Sequence, residues 1–109
     1  MTKMDLIDKL ASLPELIEAQ GRVVINAYQQ VQKSKKGLTE SEDILLLSGV
    51  IDGKNAEIRA AQMRENTVSE REAAQNAERQ LSIEQVKLNR LNNELAVYRA
   101  IAGMLKGAE

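Results

Sequence analysis

The sequence predicts an all-α fold, an antiparallel helical hairpin of coiled-coil character with a long C-terminal helix, and three observations predict it. Phenylalanine, tryptophan, histidine and cysteine are absent and proline occurs once in 109 residues, while the strong helix formers Ala, Leu, Glu, Gln, Arg and Lys dominate. Apolar or small residues return at alternating steps of four and three along both halves of the chain, the signature of a heptad seam. Between the halves lies one break in that pattern, LLLSGVIDGKNAE at residues 45 to 57, where two glycines flank a short apolar block.

The first seam reads Leu6, Leu10, Leu13, Ile17, Val24, Ala27 and Val31, with Gln20 as its single polar interruption. Thr2 with Asp5, and Ser12 with Glu15, have the spacing of capping boxes, so a short helix over about 3 to 11 and a second over 13 to 36 are expected. The chain should bend at Pro14, which has no N–H to donate. Gly37 should end this arm behind Lys33, Lys35 and Lys36. Thr39 with Glu42 signals a further short helix that Gly49 stops, giving a reversal over 37 to 54 in which Asp52 caps the next helix and Gly53 and Asn55 complete the junction. A β-hairpin with DG at its turn is the rival local reading.

From Ala56 the seam resumes through Ala60, Met63, Thr67, Glu70, Ala74, Ala77, Leu81, Glu84, Leu88, Leu91, Leu95, Tyr98, Ala102 and Leu105 without losing phase. A long helix over 55 to 106 is therefore expected, uninterrupted at ENTVSERE. The alternative is a break near Thr67, where capping signatures recur, folding the chain into a three-helix bundle. A second flank of Ile83, Val86, Val97, Ile101 and Met104 widens the apolar face beyond a two-stranded seam. All of this forms one domain, residues 1 to 109.

With the reversal centred near Leu45, equal-length counting puts residue 6 opposite residue 84. Leu88, Leu91, Leu95, Tyr98, Ile101 and Leu105 then overhang the shorter arm. An apolar face of that kind marks an interaction site, so these six are expected to form a homo-oligomer interface.

Without histidine or cysteine, the usual neutral-pH base, the thiolate nucleophile and the common transition-metal ligands are missing, and a non-enzymatic protein without cofactor is expected. Glu70 and Glu84 on the seam could hold a cation with a partner's carboxylate, but solvation or pairing is the stronger expectation. DGKN lacks the glycine spacing and the strand of a phosphate loop. Lys33, Lys35, Lys36 and Lys54 would share the hairpin tip and could contact an anion or nucleic acid, though no aromatic platform accompanies them. Net charge is −1, which gives no global field. No apolar run reaches the length of a membrane span, and a cytoplasmic setting without membrane contact is expected.

The block LSGVIDGKNAEIRAAQMR at residues 47 to 64, with LPEL at 13 to 16 and the leucine-rich last helix, resembles a group of small uncharacterised helical proteins of bacteriophages and prophages. That resemblance implies an accessory role in phage DNA recombination or replication, in the cytoplasm of a bacterial host, and it assigns no functional residue. The expected function is a self-associating helical adaptor with a protein partner. The alternatives are a small-ligand or anion sponge serving counter-defence, and a nucleic-acid accessory protein acting through the lysine tip.

Overall fold

The computed structural model describes residues 1–108. Three helices follow one another, α1 Lys3–Ser48, α2 Ala56–Asn66 and α3 Val68–Ala108, with no strand among the described residues. The two long helices pack on each other as a hairpin. Their contacts gather into two parts, residues Met1–Asn26 with α3 from Ser82 onward, and residues Ala27–Leu81.

In the first part, Leu6, Leu13 and Leu95 are buried, and Leu10, Ile17, Val24, Leu88, Leu91, Tyr98 and Ile101 are half-buried. All but Ile101, which belongs to the second flank, are seam positions of the two helices. Lys3, Leu6 and Leu10 line one cleft with Ala102, Leu105 and Lys106, while Gln20 reaches Glu84. The helices therefore run antiparallel, and residue 6 lies near residue 102 instead of residue 84. Equal-length counting failed because the reversal occupies residues 49 to 55 and not the neighbourhood of Leu45.

In the second part, Val31, Ala74 and Ala77 are buried, and Lys35 Nζ meets Glu78 Oε1 at 3.1 Å across the two helices. Small residues on α3 let α1 come close here, as expected of an alanine-lined seam.

Several expected boundaries are overturned. α1 runs unbroken through Pro14 and through Gly37, and the short helix expected after Thr39 is its continuation. Thr39 caps nothing; its hydroxyl donates to the Lys35 carbonyl one turn back, at 3.1 Å. The reason is that Ser34, Leu38, Ser41 and Leu45 keep the seam going past the glycine. A glycine within a helix costs only about 1 kcal/mol, and the half-buried Leu38 and Leu45 offset that. Of the sequence's capping boxes, Thr2 with Asp5 forms reciprocally, at 3.0 and 3.1 Å. The Thr2 backbone N–H and hydroxyl hold the Asp5 carboxyl below its ordinary value.

The junction is built by α2. Gly49 takes φ of +78°, the left-handed conformation that closes a helix C-terminus, which only glycine adopts at no steric cost. Asn55, not Asp52, is the N-cap: its Oδ1 accepts from the Ile58 N–H at 2.9 Å. Asp52 is instead held by Gln62, whose side-chain amide donates to Asp52 Oδ1 and accepts from the Gly53 N–H, each at 2.9 Å. Arg59 Nη1 adds a bond to the Gly53 carbonyl at 3.1 Å.

A Cβ built on Gly53 would lie 2.5 Å from Ile58 Cγ2 and 3.0 Å from both Ile58 Cβ and Gln62 Oε1. Glycine stands in the DGKN motif because α2 approaches this closely. Gly53→Ala is expected to destabilise the protein by about 1–3 kcal/mol, the usual range for forced overpacking. Denaturant unfolding checks this, and an unchanged midpoint would show that the first turn of α2 yields.

At Thr67 the long second arm does break, contrary to the uninterrupted helix expected. Thr67 is fully buried on the seam, its hydroxyl donates to the Met63 carbonyl at 2.7 Å, and its φ of −127° leaves the helical range. Back-bonding of this kind bends helices. α2 buries none of its residues, so the break does not produce the third member of a bundle core.

Candidate interaction surface

The part of the molecule formed by Met1–Asn26 and α3 beyond Ser82 carries a buried polar feature of the seam and a set of exposed apolar side chains on α3. The polar feature answers the one interruption in the first heptad pattern. Gln20 Nε2 donates to Glu84 Oε2 at 2.6 Å and to the Glu84 carbonyl at 2.9 Å, and Lys87 Nζ closes on Glu84 Oε1 at 3.2 Å. Glu84 is only 6% exposed. Two seam positions that looked like separate flaws are thus a single cross-helix rung, in which a carboxylate accepts bonds from an amide and an ammonium. Among the described residues, no group of three or more acidic side chains is placed to hold a metal ion.

The six residues expected at an oligomer interface are placed differently from that expectation. Leu95 is buried, Leu88, Leu91, Tyr98 and Ile101 are half-buried, and Leu105 is exposed beside Leu6 and Leu10. For all of them but Leu105, the cover comes from α1 of the same chain. The overhang that argued for an intermolecular seam does not exist, because α1 reaches as far as they do.

Apolar exposure lies at the end of α1, at Ile44, Leu46, Leu47 and Val50, and on the outer flanks. Once the seam is filled, α1 still presents Leu16 and Val23, and α3 presents Ile83, Val86, Val97 and Met104, all exposed. On α3 these residues form the second flank visible in the sequence; it widens the apolar face without meeting a helix of its own chain. Val86 is 59% exposed and Val97 56%, and between them Arg90 and Glu94 interrupt the row.

The four lysines are not brought together. Lys36 precedes the end of α1 at Ser48 by about 18 Å of helix at one rise per residue, whereas Lys54 sits in the junction itself. Lys35 is engaged by Glu78 and Lys36 approaches Glu40 at 3.9 Å, so two of the four already have acidic neighbours. The lysine tip is corrected on both counts. Gly49, Asp52, Gly53 and Asn55 lie in the junction in the structural roles given above, with Asn55 taking the cap that was expected of Asp52.

No helix among the described residues is long and apolar enough to cross a membrane. Compared with known protein families, curated proteins and solved structures, the chain matches none.

Proposed function

We propose that the protein is a non-enzymatic helical interaction module that works by presenting the outer apolar flank of its hairpin to other helices. The observation that carries this reading is the row Ile83, Val86, Val97 and Met104 on α3, exposed although the seam beside it is already filled. An exposed apolar row on a helix, broken here only by the charged pair Arg90 and Glu94, is an interaction site in the ordinary logic of protein surfaces. Without histidine or cysteine, the chain offers little for acid–base or nucleophilic work, which supports an adaptor over a catalyst. The likeness of its IDGKN junction to small phage proteins supports placing that adaptor among the accessories of phage DNA recombination or replication.

Light scattering at rising concentration tests the reading. The wild type is expected as a dimer or larger species, and Val86→Glu with Val97→Glu as a monomer of unchanged helicity. A wild type that stays monomeric up to high micromolar concentration would remove self-association from the proposal.

A further inference from the structure

Six residues of α3 lie along one line of its outer surface: Ile83, Val86, Arg90, Glu94, Val97 and Ile101. At about 100° per residue they fall within an arc of roughly 80°, on the flank next to the seam. Ile83, Val86, Arg90 and Val97 are exposed, and Glu94 and Ile101 are half-buried. In order of height the row reads Ile, Val, Arg, Glu, Val, Ile. By residue type these six positions read the same from either end except at the centre, where the mirrored positions carry opposite charges; their steps of 3, 4, 4, 3 and 4 match the mirror image to within one residue, and exposed Met104 lies in the same arc beyond Ile101. Neither Arg90 nor Glu94 makes a salt bridge within the chain among the described residues.

A two-fold interface has to be self-complementary, each residue meeting the image of the residue at the mirrored height. For two antiparallel copies of a helix with the axis beside residue 92, Ile83 meets the partner's Ile101 and Arg90 meets the partner's Glu94, while Val86 comes within one residue's rise of the partner's Val97, each contact occurring twice. Parallel pairing would set Arg90 against its own copy and Glu94 against its own copy. The charges therefore choose the direction and the aliphatic pairs supply the burial.

From this we infer that the occupant of the α3 flank is a second copy of the same chain, docked antiparallel through this palindromic row, with reciprocal Arg90–Glu94 ion pairs at its centre. The inference rests on the proposed reading of the flank as an interaction surface and adds the partner, its direction and its register.

Charge reversal tests it, read as the dissociation constant of the dimer by sedimentation or light scattering, with circular dichroism confirming helicity. Arg90→Glu alone and Glu94→Arg alone each turn both central pairs into repulsions and should weaken association by about tenfold or more. The double variant Arg90→Glu with Glu94→Arg restores opposite charges and should return to near the wild-type value. An equimolar mixture of the two single variants should associate across types in preference to either variant with itself. If the wild type associates but the reversals change nothing, or the double variant is as weak as the singles, the palindromic docking is wrong while the flank reading survives. If the wild type does not associate at all, self-association fails in the proposed reading as well.

Discussion

Replacing Leu13 by alanine is expected to cost about 2–5 kcal/mol of stability, and replacing Leu16, one turn away on the same helix, about 0.5 kcal/mol or less. Leu13 is 2% exposed and Leu16 is 52% exposed. The contrast follows from the heptad seam: Leu13 is enclosed at a seam position, where a lost isobutyl group leaves a cavity that rigid helices close only in part, whereas Leu16 stands exposed off the seam. Urea unfolding of both variants at low protein concentration decides it through the two midpoints, given unchanged slopes. Equal losses would mean that the flank is as well packed as the seam, and the division between core and outer surface drawn above would be wrong.

The second large effect concerns the polar rung. Glu84→Ala should destabilise by about 1–3 kcal/mol, because the Gln20 amide and the Lys87 ammonium lose their shared acceptor while Gln20 stays half-buried. Removing both sides should behave differently. With Gln20→Leu and Glu84→Leu together no donor is stranded, two apolar side chains meet in the seam, and stability is expected to be equal to or above that of the wild type. A double-mutant cycle over the two positions should therefore show strong coupling. Additive losses would mean that each residue acts through its own helix and that no cross-helix rung operates. What the rung supplies is alignment, since sliding α1 by one heptad would set the Glu84 carboxylate against Leu13 or Ala27.

The seam itself was legible in the sequence. The buried apolar residues of α1 and α3, Leu6, Leu13, Val31, Ala74, Ala77 and Leu95, all sit at four-three positions, because the period of hydrophobic burial is the period of the helix. Helix ends were far less legible. Pro14, Gly37 and Thr39 are local signals worth about 1–3 kcal/mol each, outweighed by the seam residues beside them, Leu10, Leu13 and Ile17 at the proline and Leu38 and Leu45 past the glycine. At Thr67 the balance fell the other way, since a buried hydroxyl bonded one turn back bends the arm without spending any seam contact.

Register was the costliest misreading. Which residue of α1 meets which residue of α3 depends on where the chain turns, so a reversal placed a few residues too early shifts every pair by twice that amount, and it manufactured an overhang from a helix that is covered. The signal that could have corrected it was present: Gln20 and Glu84 are the polar anomalies of the two seams, and pairing them puts the turn at Asp52. The outer row of α3 was legible as a second apolar flank, but its two-ended symmetry becomes meaningful only once the seam has been assigned to α1.

The bonds that shape the tip have a temporal consequence. Asp52, Gly53 and Asn55 are all held by residues between Ile58 and Gln62, so the turn can close as soon as some ten further residues have been made, before any of α3 exists. Such short closures take well under a microsecond, whereas Leu6 and Ala102 have almost the entire chain between them. Zippering is thus expected to start at the loop and travel toward the free ends, and Gly53→Ala should slow refolding more than it hastens unfolding. The opposite kinetic split would place nucleation at the far end.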